Sequence, residues 1–259
     1  MAMNQFEVAD VLEKIARLTG NEADVAHWRK IIRRDPEHVR RMFEVRWQVN
    51  GVPSYFAAPD YGMLMTYGFW AMRSPYFPQA YARPMLEEWG LDREKGFFGD
   101  FFPLAMARQS MKQFATKVDH SFGYTPDTAY FTLDGLFRQG IREKGAELTL
   151  NHLRNYNYHH EWGIPVAPEA YRRDLSLFGD QFSNFNAGKI LLYLEGLAGL
   201  HISIPENRAT ITPSLPREWE WMEFRLPIKD QWTTFRYERD AVKVQGCPLD
   251  FTVSESQGR

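Results

Sequence analysis

The stretch Asn184 to Ile228 decides the fold. It begins Asn184-Phe185-Asn186-Ala187-Gly188-Lys189-Ile190-Leu191-Leu192-Tyr193-Leu194-Glu195-Gly196-Leu197-Ala198-Gly199-Leu200 and continues His201-Ile202-Ser203-Ile204-Pro205. Ala209-Thr210-Ile211-Thr212-Pro213, Leu215-Pro216 and Trp219-Glu220-Trp221 follow. The first part has the apolar spacing of an amphipathic helix. The rest consists of short segments cut by prolines, which read as strands and turns. The chain thus changes from helix to strand near Leu200.

Upstream of that point the pattern is helices in pairs. Val8, Val11, Leu12, Ile15 and Leu18 lie on one helix face, and Gly20 is placed to end that helix. Asn21 caps the next helix, which carries Trp28, Ile31 and Ile32. Asp35-Pro36 breaks it, and it resumes through Val39, Met42, Phe43 and Trp47. Further helices are expected over 63–72, 79–89 and 103–118. Thr125-Pro126 is an N-cap followed by proline at the first helical position, and the helix it opens holds Phe131, Leu133, Leu136 and Phe137. Its partner spans 144–156. Beyond Leu200, Ile202/Ile204, Thr210/Ile211, Phe224/Leu226 and Val242/Val244 mark a small antiparallel sheet. The expected division is a helical segment over 1–200 and a β-strand appendage over 201–259.

Composition narrows the function classes. A net charge of −2 argues against a polyanion partner, because nucleic-acid binders carry a basic footprint. Cys247 is the sole cysteine, so no intrachain disulfide forms. The N-terminus lacks a charged, then apolar, leader, and no apolar run is long enough for a membrane span. A cytoplasmic protein without membrane attachment is expected. Aromatic residues make up 15% of the chain, which fits either an aromatic-rich core or stacking platforms in a wet cleft.

No phosphate-cradling glycine loop, His-Glu-x-x-His, paired cysteines or nucleophile elbow is present. His159-His160-Glu161 are consecutive, and consecutive side chains rarely converge on one metal ion. No cofactor is implied. Glu161-Trp162-Gly163-Ile164-Pro165-Val166-Ala167-Pro168-Glu169-Ala170-Tyr171-Arg172-Arg173-Asp174 reads as a loop with three carboxylates and several aromatics.

That loop and the helix after it resemble the six-hairpin (α/α) glycoside hydrolases, a group that includes processing α-glucosidases and mannosylglycerate-type hydrolases. There a Glu-x-Tyr loop carrying the general base precedes a Phe-Ser-Trp-Ser-Ala-Ala-like helix start. Here Glu169-Ala170-Tyr171 precedes Phe182-Ser183-Asn184-Phe185-Asn186-Ala187, with Phe185 in place of the Trp. Leu12 to Trp28 is similar to the hairpin after the general-acid segment of that family. Gly123-Tyr124-Thr125-Pro126-Asp127 stands where the family has an Arg-Gly-Pro-Val-Trp entry to a sugar-contacting helix.

The resemblance implies a partial six-hairpin toroid, mainly α, with a small C-terminal antiparallel β appendage. It implies Glu169 as the catalytic base and an oligosaccharide or glycoside as substrate, with Tyr124, Asp127, Trp162 and Tyr171 at the cleft. Tyr55 and Trp70 are further candidate walls. A trehalase-like alignment moves the base to Asp174 or Asp180. The family's general acid lies before its equivalent of the first hairpin. The resemblance therefore implies the C-terminal part of an inverting enzyme, partnered by a missing N-terminal part.

Overall fold

Helices come first in the computed structural model, which describes residues 2–32, 48–49, 52–53, 64–100, 102–113, 123–158, 167–172 and 176–254. α1 (Ala2–Leu18) and α2 (Glu22–Ile32) form a hairpin. Gly20 sits at φ 72° in the link. The Asn21 side chain accepts a hydrogen bond from the Asp24 N–H at 3.2 Å and donates to the Asp24 carboxylate at 2.7 Å. Both bonds fix the start of α2. The expected resumption through Val39 to Trp47 lies outside the described residues, as does Tyr55. A two-residue strand pair, β1 (Gln48–Val49) and β2 (Val52–Pro53), follows.

The face of α1 that carries Val8, Val11, Ile15 and Leu18 points to solvent. Its small residues Ala9 and Ala16 are buried instead. The polar side is tied inward: Asp10 accepts from the Tyr76 hydroxyl at 2.8 Å, and Glu13 accepts from Arg29 at 2.8 Å. Burial and the bond to Asp10 both raise the Tyr76 pKa.

α3 (Tyr67–Trp70) is a short helix that tightens into a 3₁₀ turn at Ala71–Arg73. It starts later than the sequence pattern over 63–72 suggests, because the backbone of Leu64 to Thr66 is bonded across to 105–107. Thr66 N–H donates to Ala105 O at 3.1 Å, and Ala107 N–H to Leu64 O at 2.9 Å. The same pairing corrects the helix expected over 103–118: residues up to Ala107 are not helical, and α5 covers only Arg108–Gln113. Residues 114–122 lie outside the described set. α4 (Gln79–Met85) contains Pro84 and continues as a π turn over Leu86–Gly90.

α6 (Pro126–Arg138) opens at Thr125, whose extended backbone (φ −122°, ψ 133°) precedes Pro126. It touches α3, the 3₁₀ turn, α7 (Arg142–Tyr158), β3 (Ala167–Tyr171) and α8 (Ser183–Leu191). Leu133 and Leu136 feed one core with Phe69, Met72, Met85, Trp89, Phe97 and Phe102. Phe137 feeds a second core with Leu197, Leu200, Ile211, Phe235 and Tyr237. α6 is therefore the wall shared by the two cores. Phe69 meets Phe97 edge-on at 5.5 Å in the first core, and Phe224 stacks on Phe235 at 5.3 Å in the second.

Residues 167–171 are a strand rather than the loop the sequence suggested, paired antiparallel with β4 (Leu177–Phe182). After α8, a π turn over Leu192–Leu197 leads into the β part. The expected single antiparallel sheet is two three-stranded sheets. β5 (Leu200–Ser203), β6 (Arg208–Ile211) and β10 (Asp250–Val253) form one, with β10 parallel to β6. β7 (Trp221–Ile228), β8 (Gln231–Glu238) and β9 (Ala241–Gln245) form an antiparallel meander. Alternation marks the strands but not their direction, which is why the parallel return of β10 escaped it. The molecule is mainly helical with a β part at its C-terminal end.

Arg142 joins the two parts. Its guanidinium donates to Ser214 Oγ at 2.6 Å, to Thr212 O, and to Gly196 O at 3.4 Å. It also lies 5.5 Å from the Phe137 ring centroid. Burial lowers its pKa to about 10. Arg142→Met removes these donors and leaves buried acceptors unpaired, at an expected cost of about 1–3 kcal/mol. Urea unfolding should show a lower midpoint at unchanged m; an unchanged midpoint would refute this role.

Candidate functional site

A ladder of short extended segments leads to Glu169. From the 64–66 and 105–107 pairing, Ala105 N–H donates to Gly123 O at 2.8 Å. Tyr124 and Tyr171 then exchange both backbone bonds, at 3.0 and 2.8 Å. Gly123 permits this approach, since a Cβ there would stand 1.6 Å from Tyr171 O. The ladder fastens β3, which carries Glu169, beside the start of α6, which carries Asp127.

Glu169 is half-buried at an irregularity in the β3–β4 pairing. Pro168 pairs with Gln181 and Ala170 with Phe178, so Gly179 and Asp180 together oppose Glu169. Gly179 has φ 74°, and a Cβ there would lie 2.1 Å from Glu169 Oε2. The carboxylate therefore rests against the bare backbone of the bulge. A side chain at 179 would displace it as well as strain the left-handed backbone.

The two tyrosines are buried. The Tyr124 hydroxyl accepts a hydrogen bond from the Asp100 N–H at 2.7 Å. Burial pushes the Tyr171 pKa up to about 12. At 3% and 1% exposure neither presents a stacking face to solvent. Asp127 is half-buried in the first turn of α6, a position that favours negative charge. The Tyr67 pKa is raised first by burial, then by the Asp127 charge. Trp70 packs 4.6 Å from both the Tyr67 and Phe131 rings, and its buried Nε1 has no hydrogen-bond partner among the described residues. It serves packing. Trp162, Asp174 and His159-His160-Glu161 lie outside the described residues, and of Asp180 only the backbone is described.

Sequence reading missed a charged cluster two turns further along α6 from Asp127. Asp134 is buried and accepts from Arg73 Nε at 2.7 Å and Arg138 Nε at 2.8 Å, with Glu195 3.9 Å from Arg138. The Asp134/Arg138 spacing of four was the available signal. A groove of about 550 Å³ lies in the β part, lined by Glu218, Trp219, Glu220, Trp221, Met222 and Glu223. It contains none of the sequence candidates. Its Glu218 is paired to Arg154 and its Glu223 to Arg236, as on a solvated rim. Among the described residues no group of three or more His, Cys, Asp or Glu is placed to hold a metal ion. No helix among them is long and apolar enough to cross a membrane.

A scan against protein-family models finds no match, and a search of curated proteins finds none. Solved structures do match. One titled "Sialidase" aligns over 96% of this chain at a TM-score of 0.72 and 13% identity. The match covers 25% of that structure's chain, so this chain spans about a quarter of its length. Two looser likenesses carry no argument. A GH78 family rhamnosidase of Bacillus sp. GL1 has a TM-score of 0.43 at 13% identity, covering 97% of this chain and 33% of that one. A putative kojibiose phosphorylase from human microbiome has a TM-score of 0.36 at 16% identity, covering 50% and 17%. At this identity the finding is one of fold alone: the chain shares its fold with part of that structure.

Proposed function

We propose that this chain is the C-terminal part of an inverting glycoside hydrolase of the six-hairpin type. Residues 1–200 form a segment of the toroid and 201–259 its β appendage. Glu169 is the general base, and Tyr124, Asp127, Trp162 and Tyr171 belong to the sugar cleft. One observation carries this reading: Glu169 is held half-buried over the Gly179 bulge, on a strand fastened to the first turn of α6. A rigid scaffold that fixes one carboxylate suits a base that must orient water. The fold shared with a sialidase supports it.

An inverting enzyme needs a second carboxyl group roughly 6.5–9.5 Å from the base, on the far side of the attacked carbon. The base takes a proton from water as its oxygen bonds to the anomeric carbon, while the acid protonates the departing oxygen. In this reading the acid comes from an N-terminal part outside this sequence. The chain alone then leaves the alkoxide unprotonated, a loss of about 10²–10⁴-fold.

The test is a panel of aryl glycosides and disaccharides, assayed for turnover and for thermal stabilisation. The expected result is stabilisation by one sugar class with little or no turnover. Turnover abolished by Glu169→Gln would overturn the external acid and place it within residues 1–259. Turnover that survives the substitution would remove Glu169 as base and point to Asp174 or Asp180. A second reading, a non-catalytic helical interaction protein on the same fold, is favoured by the apolar outer face of α1. Absence of both stabilisation and turnover across the panel would select it.

A further inference from the structure

Three contacts join α3 and its 3₁₀ turn to α6, in step along both. Tyr67, Trp70 and Arg73 recur at intervals of three on one side, and Asp127, Phe131 and Asp134 at four and three on the other. Arg73 Nε donates to Asp134 at 2.7 Å, Trp70 lies 4.6 Å from the Phe131 ring centroid, and the Asp127 charge acts on the Tyr67 hydroxyl. Gly135 lets the two segments close, since a Cβ there would stand 2.9 Å from Met72 Cβ and 3.2 Å from Phe69 O.

Exposure rises along this series. Asp134 is buried, Trp70 is half-buried, and Tyr67 is 49% exposed. Trp70 meets Tyr67 edge-on at 69°, and such a contact covers at most one face of the phenol ring. The open end is also the end nearest Glu169. Tyr124 and Tyr171 pair antiparallel, so the chain beyond Tyr124 runs back alongside the residues before Tyr171, toward Glu169. Tyr67 follows Thr66, which is bonded into the same ladder.

We propose, on the glycosidase reading of this site, that Tyr67 is the ring on which an uncharged pyranoside stacks, with Asp127 beside it accepting hydrogen bonds from the sugar's hydroxyl groups. The C–H face of a pyranose is apolar and slightly positive, which suits the negative face of an aromatic ring. Tyr124 and Tyr171 are buried and Trp70 is enclosed between Tyr67 and Phe131, so Tyr67 is the ring of these four that faces solvent. An open aromatic wall with a few convergent polar groups is the usual make-up of a small-molecule site. Asp127 and Glu169 put two carboxylates at this end. An acidic sugar would bring a third negative charge among them, and like charges brought together oppose binding.

Saturation-transfer NMR on the full chain tests this, with methyl glycosides of uncharged hexoses and deoxyhexoses and with methyl glucuronide as the acidic probe. At least one uncharged glycoside is expected to bind, with saturation strongest at the protons of one ring face. Tyr67→Leu, which keeps apolar bulk without the ring, should weaken that binding at least about tenfold, and Tyr67→Phe by less than about threefold. Asp127→Asn, which keeps the shape but loses the charge, should weaken it at least about fivefold. Circular dichroism of each variant should match the parent, because position 67 is exposed and position 127 half-buried. Should Tyr67→Leu not fold, Tyr67→Gln takes its place. Binding that ignores the loss of the ring would overturn the stacking role and leave the reading of Glu169 standing. Saturation spread evenly over both faces of the sugar would overturn that role too. Methyl glucuronide binding as tightly as the best uncharged glycoside would overturn the ligand class. No binding by any member would overturn the glycosidase reading, and this inference with it.

Discussion

Replacing Arg73 and Arg138 together by Met is expected to destabilise the fold by about 3–5 kcal/mol, the range for a buried carboxylate stripped of its partners. Asp134 lies in the middle of α6 with its side chain 3% exposed, while Arg73 and Arg138 are 27% and 39% exposed. The asymmetry decides which loss costs more. With both cations gone the carboxylate stays buried without them. With Asp134→Asn instead, two partly exposed guanidinium groups can turn toward water, and the expected cost is only about 1–2 kcal/mol. Arg73 also lies 5.2 Å from the Tyr130 centroid and 4.7 Å from that of Phe131, so Met must replace its packing as well as its charge. The single substitutions should not add up to the double, since either cation alone still serves the carboxylate. Chemical denaturation of the four variants beside the parent protein decides. A double substitution costing less than about 1 kcal/mol would mean that Asp134 does not depend on its two cations.

Local signals in the sequence carried far where the chemistry was local. Asn21 with Asp24 names the start of α2 because capping involves residues three or fewer apart, and Pro126 marks the start of α6 because its ring fixes φ at the first helical position. The change near Leu200 was legible because period and punctuation change together there. What escaped depends on distant pairing. The ladder from Leu64 through Ala105, Gly123 and Tyr171 consists of one or two bonds per step, too short for any alternation to register. It converts a helix start into extended chain at Met65 and a loop into a strand at Glu169. The stripe on α1 shows a different limit: spacing identifies an apolar face but does not say what covers it. At the candidate site, the Glu-x-Tyr resemblance singled out Glu169 and Tyr171. Nothing local marked Gly179 as the residue whose missing side chain makes room for the carboxylate.

Stability should fall as pH drops from about 6.5 toward 3, and His152 should be a main cause. This side chain is buried within α7, and its pKa is pushed down to about 3, first by burial and then by the nearby Lys189 charge. A hydrogen bond to the Phe102 backbone opposes the shift only in part. The unfolded chain takes up the proton near 6.5, the ordinary histidine value, whereas the folded protein refuses it until about 3. Between those limits the unfolded state binds more protons, so the stability is fully present above 6.5 and declines below it. The slope is about 0.7 kcal/mol per pH unit at 6.5 and approaches about 1.4 kcal/mol below it, giving about 2 kcal/mol between pH 6.5 and 4.5. His201, whose pKa burial also lowers, adds a term of the same sign. His152→Gln isolates the first contribution: its stability should vary less over that interval, by about the amount His152 supplies. Parallel pH profiles for the two proteins would show that His152 takes up its proton without unfolding. Lys189→Met extends the test. Removing that positive charge raises the folded-state pKa of His152 and closes the window from its acid end, leaving the onset near 6.5 unchanged. Since burial is the larger cause, the window should narrow rather than vanish.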